Sequence, residues 1–239
     1  MKILIMGSGN ARSLGRMLSY YGVDVDIIDS IPIIPRKKNA DISLVMGVWS
    51  AQWLLRMQML PGRKVYRIQG SDAYKMSSAT RNTLRLMMLR GDSILYAADN
   101  LTKVVGLPGE VISTPVDTAL FYPSEEVTDR SKDVLYYCPK GREATYRINK
   151  LYEYLKAYPT EKFTIIDGKV PHKEMPDLYR SHRKYLRWTT HDANPKMPYE
   201  ALLCGCEVWF NDERITEVPD FMLMENAIPR FISFFEGIY

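Results

Sequence analysis

Residues 2–29 read KILIMGSGNARSLGRMLSYYGVDVDIID, and this stretch decides the fold class. Residues 3–6 form a continuous apolar run, which predicts a buried strand. Residues 11–22 carry apolar side chains at helical spacing and end at Gly22, a typical helix end. The alternation of Val and Asp from residue 23 predicts a second strand. A strand, a helix and a strand joined by short turns indicate a parallel sheet.

The same alternation continues along the chain and restarts once. The pattern predicts further strands over 43–49, 64–69, 93–99 and 110–117, and helices over 50–60 and 77–91. A polar, proline-bearing segment at 114–133 is typical of a linker. After it the pattern predicts strands over 133–138, 162–168, 184–190 and 207–212, and helices over 143–158, 173–182, 198–205 and 221–237.

We therefore expect an α/β protein of two Rossmann-like, doubly wound parallel-sheet domains that face a cleft, with ligands at the carboxyl ends of the strands. The first domain covers residues 1–115 and the second covers residues 116–239. The last helix could cross back to the first domain, and Pro229 should kink it or break it in two.

Composition limits the class of protein. The chain has 239 residues, of which 46% are hydrophobic and 25% charged, as in ordinary globular proteins. No apolar run has the length of a membrane span, and the N-terminus lacks a signal-peptide pattern, so we expect a cytoplasmic protein. Cys138, Cys204 and Cys206 lack the spacing of a disulfide framework or metal site and are expected to be buried thiols. The net charge of +4 suits an anionic small ligand or an acidic membrane surface better than nucleic acid.

Two glycines follow the first predicted strand. Gly7 and Gly9 would let the backbone approach a ligand, and the helix start beyond them attracts anions. Asp29 could hold a ribose, but Arg12 stands where a dinucleotide-binding fingerprint needs a third glycine. A tight turn between strand and helix explains the two glycines equally well.

A basic loop follows the predicted strand over 133–138. Lys140, Arg142 and Arg147 would lie at the carboxyl edge of the second sheet. Arginine can bridge two oxygens of a diphosphate, and lysine adds a point charge. The alternative is a solvated loop with ordinary surface charge.

Residues 192–200, DANPKMPYE, place two acids eight positions apart at the start of a helix. The first turn of this helix, with Lys196, Pro198 and Tyr199 at its start, has free backbone amides that suit a phosphate. Glu200 could accept ribose hydroxyls, and Asp192 could hydrogen-bond a sugar. The alternative is a capping acid and a first-turn glutamate, both common for helix electrostatics.

The remaining chemistry-bearing residues have simpler interpretations. His172 and His182 are expected on the surface, whereas His191 could line the cleft. The tryptophans at 49, 53 and 188 are expected in the core. The segment TRNTLRLMMLRG at 80–91 could meet a lipid surface, although core packing explains it as well.

Several segments together resemble a shortened retaining glycosyltransferase of the GT-B fold, of the family-four type (glycosyl transferases group 1). STPVDTALFYP at 113–123 resembles the segment that leads into the family's nucleotide-binding domain. DVLYYCPKGRE at 133–143 resembles its strand and Gly-Arg loop, and RIQGSD at 67–72 its His-Gly-Ser/Thr-Asp loop. HDANPKMPYEALLCGCEVWFND at 191–212 resembles the E-x7-E region and is the most specific match.

The resemblance implies a metal-independent enzyme that moves a sugar from a nucleotide-diphosphate donor to an acceptor hydroxyl with retention of configuration. It needs no cofactor beyond the donor substrate, and the acceptor is a glycan, a lipid or a small molecule. Glu200 would hold the ribose and Asp192 the donor sugar, while the three basic residues would stabilise the diphosphate. The loop of Gln69, Gly70, Ser71 and Asp72 would reach the reacting sugar from the first domain.

The sequence departs from the family pattern at two positions. Asp192 replaces a glutamate and Gln69 replaces a histidine. These changes keep a second hypothesis open, a catalytically silent protein that binds a nucleotide-sugar. A third hypothesis, a nucleotide-dependent Rossmann oxidoreductase, is based on Gly7 and Asp29.

Overall fold

A computed structural model of the chain describes residues 1–7, 9–28, 39–124, 130–168, 170–190 and 195–239. The chain divides into two compact units. Unit 1 comprises Met1–Pro115 and Met224–Tyr239, and unit 2 comprises Val116–Leu223. The sequence assigned everything from residue 116 onward to the second domain, with a last helix that could cross back. In the structure, that helix is part of unit 1.

The strands of the described residues form one sheet in each unit. In unit 1 they are β1 (Lys2–Met6), β2 (Asp24–Ile28), β3 (Ile42–Met46), β4 (Arg63–Ile68), β5 (Ser93–Tyr96) and β6 (Glu110–Val111). In unit 2 they are β7 (Lys132–Tyr137), β8 (Phe163–Ile166), β9 (His182–Arg187), β10 (Glu207–Phe210) and β11 (Glu213–Ile215).

The α-helices of the described residues lie between these strands and at the end of the chain. They are α1 (Gly9–Tyr20), α2 (Ala51–Met57), α3 (Ser71–Tyr74), α4 (Ser78–Leu89), α5 (Asp99–Val105), α6 (Ile148–Ala157), α7 (Met175–Arg180), α8 (Lys196–Leu203) and α9 (Met224–Ile238). Serine side chains begin two of them: Ser50 Oγ accepts from Trp53 N at 3.1 Å, and Ser77 Oγ accepts from Thr80 N at 3.1 Å.

The sheet of unit 1 has the order β2-β1-β3-β4-β5-β6, and all its neighbouring strands are parallel. The order reverses between β1 and β3, so this is a doubly wound sheet with a switch point there. β6 is shorter than the strand predicted over 110–117, because its partner β5 already ends at Tyr96.

The sheet of unit 2 repeats this arrangement with the order β11-β10-β9-β7-β8. β8, β7, β9 and β10 are parallel, and only β11 pairs antiparallel, at the edge. Its switch point lies between β7 and β9. Both sheets therefore confirm the predicted Rossmann-like α/β fold class.

The last helix completes the core of unit 1. Phe231 and Phe235 of α9 are fully buried in one cluster with Leu14 of α1 and with Ile3 and Ile5 of β1. Of the two predicted effects of Pro229, a kink or a break, the break is excluded, because α9 is continuous from Met224 to Ile238. The buried apolar face anchors the helix on both sides of the proline, and this packing outweighs one lost backbone hydrogen bond.

Two expectations for unit 2 are wrong. The helix predicted over 143–158 begins five residues later, because Arg147 adopts a left-handed backbone with φ of 43° and the Tyr136 hydroxyl donates to the carbonyl of Tyr146. His182, expected on the surface, is fully buried. Its ring nitrogens lie 2.7 Å from the Leu178 carbonyl and 2.9 Å from Thr164 Oγ1, and these contacts satisfy its polar atoms.

We predict that Pro229→Ala stabilises unit 1. Pro229 is exposed, so the substitution loses no packing and restores the backbone donor that the helix lacks. The midpoint of urea unfolding should rise by the equivalent of about 1–3 kcal/mol. Ser233→Ala, at an exposed position of the same helix, is the control and should change stability by a few tenths of a kcal/mol at most. A Pro229→Ala variant no more stable than wild type would contradict this account of α9.

Candidate functional site

The switch point of each sheet gathers polar residues at the carboxyl ends of its strands. In unit 2, Lys140 and Arg142 follow β7, and Arg187 ends β9. Because β7 and β9 are parallel neighbours, these residues lie at one edge of the sheet. Gly141 turns the chain there with φ of 79°, and its N–H donates to Glu143 Oε1 at 2.9 Å. We call this the basic edge, defined by residues 139–147, Arg187 and the first turn of α8.

Arg187 connects the members of the basic edge, and the sequence analysis missed it. Its guanidinium lies 4.9 Å from the ring centroid of Tyr137 and 5.2 Å from that of Tyr146. Arg142 lies 5.8 Å from the same Tyr146 ring. Arg187 Nη1 also donates to Met197 Sδ, at 3.3 Å, in the first turn of α8. The structure thus brings the predicted basic loop and the predicted helix start to one place.

The three predicted cations of this loop are all exposed. Lys140 and Arg142 stand beside the end of β7, and Arg147 precedes the first residue of α6. Arg147 differs from the other two because it is the N-cap residue of α6 and has a left-handed backbone. An interior Arg187 with exposed cations around it offers an anion several donors at different depths.

The start of α8 can offer backbone amides to an anion. Its N-cap residue is Pro195, and among the described residues no side chain caps this end and no acid lies in the first turn. Pro198 has no N–H, so the free donors are the amides of Lys196 and Met197. Pro198 is buried and Tyr199 half-buried, and the contact of Met197 with Arg187 places this turn at the basic edge. Such a helix start carries partial positive charge.

Glu200 is only 1% exposed, so it does not face solvent as its predicted ribose contact would require. Its Oε1 lies 3.0 Å from His172 Nε2 and 3.3 Å from Lys196 Nζ, and Tyr179 donates to Oε2 at 3.5 Å. A carboxylate only accepts, so His172 Nε2 carries the proton. Burial raises the pKa of Glu200, but Lys196 and the hydrogen bond from His172 outweigh it and hold the pKa below its ordinary value.

His172 is the second residue whose contact the sequence did not indicate. It was expected on the surface and its side chain is 33% exposed, but its ring also contacts the buried Glu200 and lies edge-on to Phe121 at 5.1 Å. A short 3₁₀ turn, His172–Glu174, presents it just before α7. No local pattern predicts this, since the partner on α8 is 28 residues away.

Unit 1 has a cavity of about 180 Å³ at its own switch point. Its lining comes from the carboxyl ends of β1, β3 and β4 and consists of Asn10, Ala11, Met46, Gly47, Trp49, Gln69 and Asp72. Asn10 Nδ2 donates to Gln69 Oε1 at 3.0 Å, which leaves two amide groups side by side. Trp49 is 70% exposed here, so its expected place in the core is wrong. The chain leaves β3 just before it, which carries the ring out of the sheet.

Asp72 organises the loops around this cavity. It is nearly buried and accepts backbone N–H groups from Val48 at 3.0 Å, Gln69 at 2.8 Å and Ala73 at 3.2 Å. Burial raises the pKa of Asp72 to about 6, although these donors act in the opposite direction. Gly70, with φ of 33°, makes the turn between these loops, and Ser71 begins α3. Asp72 therefore ties the ends of β3 and β4 together.

The glycines at the start of the chain support the simpler of their two interpretations. A Cβ on Gly7, whose φ is 151°, would lie 2.8 Å from Met46 Cβ, so close packing of β1 on β3 already requires a glycine there. Gly9 is the first residue of α1. Ser8, Asp29, His191 and the predicted sugar-binding Asp192 lie outside the described residues.

The cysteines and the other side chains that could bind a metal were compared with their predicted roles across the described residues. The three cysteines are free and buried, which confirms that expectation. No group of three or more His, Cys, Asp or Glu side chains within the described ranges could hold a metal ion.

Protein-family models and curated proteins give no match to this chain. Several solved structures are similar to it. Sucrose-phosphate synthase from Thermosynechococcus elongatus is similar at a TM-score of 0.56 and 13% identity, over 99% of this chain and 90% of that one. The N-terminal domain of trehalose-6-phosphate phosphatase from Candida albicans is similar at a TM-score of 0.63 and 10% identity, over 99% of this chain and 97% of that one. The pneumococcal O-GlcNAc transferase GtfA, in complex with UDP and GlcNAc, is similar at a TM-score of 0.53 and 10% identity, over 82% of this chain and 57% of that one.

These similar structures include glycosyltransferases of the GT-B fold. At identities this low, the likeness shows the fold and not the reaction. The chain therefore has the GT-B class of fold, with two Rossmann-like α/β units.

We predict that Glu200→Gln destabilises unit 2 by about 2–4 kcal/mol at neutral pH, because Lys196 loses its buried anionic partner. The pKa of Glu200 is lowered by folding, so its contribution is present above the ordinary glutamate pKa and lost as the pH falls through the lowered value. Urea unfolding between neutral and acidic pH measures both effects. The variant should lose less stability than wild type on acidification.

The matched control is Glu153→Gln, which removes an exposed partner of Lys150 on α6. We expect a change below about 1 kcal/mol. Equal stability of the Glu200→Gln variant and wild type at neutral pH would show that Glu200 is not held as a paired carboxylate.

Proposed function

We propose that the protein is a glycosyltransferase that takes a sugar from a nucleotide-diphosphate donor, with the diphosphate bound at the basic edge of unit 2. The observation that supports this is the collection of Lys140, Arg142, Arg187 and the start of α8 around one switch point. Ligands of doubly wound sheets bind at such points. The shared GT-B fold agrees with this function, and GtfA has been solved with UDP.

Departure of the sugar places negative charge on the diphosphate oxygens. Donors that are already oriented toward those oxygens stabilise the transition state without reorganisation. Lys140, Arg142 and Arg147 would supply exposed cations, Arg187 a buried one, and the first turn of α8 its amides. Arg187 packs against the edge-to-face pair of Tyr137 and Tyr146 and is therefore oriented before the donor arrives.

Glu200 fits a ribose only through an exchange of partners. We infer that Lys196 leaves Glu200 Oε1 for the diphosphate when the donor binds. The oxygen then accepts a ribose hydroxyl, while His172 continues to donate to it. One hydrogen bond to a carboxylate replaces another, so the buried charge stays satisfied throughout. Asp192 remains the proposed contact of the donor sugar, on the strength of the resemblance alone.

The cavity of unit 1 suits an acceptor. Trp49 offers an exposed aromatic face, and Asn10 with Gln69 offers amide donors and acceptors, a combination that can hold a sugar ring by stacking and hydrogen bonds. We therefore favour a sugar-bearing acceptor over a purely lipidic one. Asp72 acts here by holding the loops.

Several finer features remain predictions. Retention of configuration, with attack of the acceptor from the leaving-group face, follows from the resemblance, as do the absence of a cofactor beyond the donor and of a metal. A cytoplasmic location follows from the sequence alone. The silent nucleotide-sugar-binding protein remains the second candidate, because Gln69 is an amide where the family has a titratable histidine. The oxidoreductase stays the third candidate, and packing on Met46 explains Gly7 without a cofactor.

The first test is binding and turnover of nucleotide-diphosphate sugars. A donor at 100 times its dissociation constant should stabilise the protein by about 2.7 kcal/mol, visible as a thermal shift. Transfer to sugar acceptors is measured by release of the nucleoside diphosphate. Arg142→Met should lower kcat/KM by about 10²–10³-fold, by analogy with loss of one oxyanion donor.

Lys132→Met is the matched control, since Lys132 begins the same β7 strand at its opposite end. It should leave kcat/KM unchanged. Binding of the donor without transfer to any acceptor would favour the silent protein. Absence of binding by any nucleotide-diphosphate sugar would overturn the proposed function.

A second test concerns the acceptor. Trp49→Ala should raise the KM for a sugar acceptor about tenfold, because the ring loses its stacking partner, and should leave donor binding unchanged. Trp53→Phe, in the neighbouring helix α2, is the control and should change neither value. An unchanged acceptor KM in Trp49→Ala would remove the cavity from the proposal.

A further inference from the structure

Helices α2 and α4 of unit 1 pack side by side on one face of the sheet. Gln58, at the end of α2, bridges them: its Nε2 lies 3.2 Å from Met87 Sδ of α4 and 2.7 Å from Asp92 Oδ2. The buried sides of the two helices carry Leu54, Met57, Leu84 and Met87.

The outer sides are apolar where a surface helix is normally polar. Leu55 and Met59 stand one turn apart at α2, and Leu86 and Leu89 one turn apart on α4. These four side chains are between 59% and 81% exposed. Scattered single apolar residues are normal on a protein surface, but two adjoining pairs on packed helices form a patch. We call it the α2–α4 patch.

The charge around the α2–α4 patch is mostly positive. From Val48 to Asp92 the chain holds eight lysines and arginines, of which Arg67 is buried, and two acids. Asp72 is buried, and Asp92 is half-buried and accepts a hydrogen bond from Gln58. Arg56, Arg85 and Arg90 are exposed on the same two helices or at their ends. The whole chain carries a net charge of only +4, so the positive charge is concentrated here.

We propose that the α2–α4 patch docks on the surface of an anionic lipid bilayer. Exposed leucines and a methionine can enter the boundary between headgroups and acyl chains, while arginines on the same helices pair with lipid phosphates. None of the described helices is long and apolar enough to cross a bilayer, so the proposed contact is peripheral. The excess of exposed positive charge favours an anionic lipid surface over a second copy of this chain, whose patch would repel it. This proposal is independent of the proposed enzymatic function.

The test uses the full chain and large unilamellar vesicles in a flotation assay. We expect binding to vesicles of phosphatidylcholine mixed with phosphatidylglycerol and much weaker binding to phosphatidylcholine alone. Added salt should weaken the binding, because it screens the arginines. Arg85→Gln should lower the partition coefficient about fivefold, the effect of one cation near an anionic surface.

Leu86→Ser combined with Leu89→Ser should abolish flotation without loss of folding, since both side chains are already exposed. Tyr152→Ser combined with Lys156→Gln removes an exposed apolar residue and a cation from α6 and is the matched control. Circular dichroism and thermal unfolding confirm that each variant is folded.

Three results would overturn the proposal. One is absence of binding to the anionic vesicles, and another is an equal loss of binding in the patch variant and the control. The third is concentration-dependent dimerisation in light scattering that the patch variant abolishes while vesicles remain unbound. That last result would assign the patch to a second copy of the chain.

Discussion

Parallel pairing of the strands is the constraint on which the rest of the structure depends. In a parallel sheet every strand runs the same way, so every strand-to-helix turn falls at the same edge. The order reverses between β1 and β3 in unit 1 and between β7 and β9 in unit 2. At each reversal the connections diverge and leave room beside the strand ends. Both the basic edge and the cavity with Trp49 lie at such points.

Within unit 2, a buried charge decides how the site is arranged. An isolated carboxylate at the depth of Glu200 would be protonated, because burial penalises its charged form. Lys196 one turn earlier on α8 and His172 from the segment before α7 reverse that tendency, and the pKa of Glu200 falls below its ordinary value. The pairing connects the start of α8 to the turn before α7. It also places a lysine and a histidine beside that helix start.

The sequence predicted the order of strands and helices well, because apolar periodicity is a local signal. The runs that became β1, β3, β4 and β7 are buried on both faces and stand out against their polar neighbours. It failed where one distant contact overrides the local pattern. Hydrogen bonding of Tyr136 to the Tyr146 carbonyl accompanies a late start of α6, and packing against α1 keeps α9 continuous through Pro229.

For the candidate site, the sequence indicated the basic loop and the start of α8. A cation after a strand and a free helix start are local patterns that favour binding of an anion. The sequence also determined the fold class, because two series of alternating strands and helices leave few other solutions. Only the tertiary structure decided that His172 meets Glu200, that Arg187 packs against two tyrosine rings, and that Trp49 is exposed. These are pairings across 28 or more residues, or consequences of where a strand ends, and such contacts leave no periodic trace in the chain.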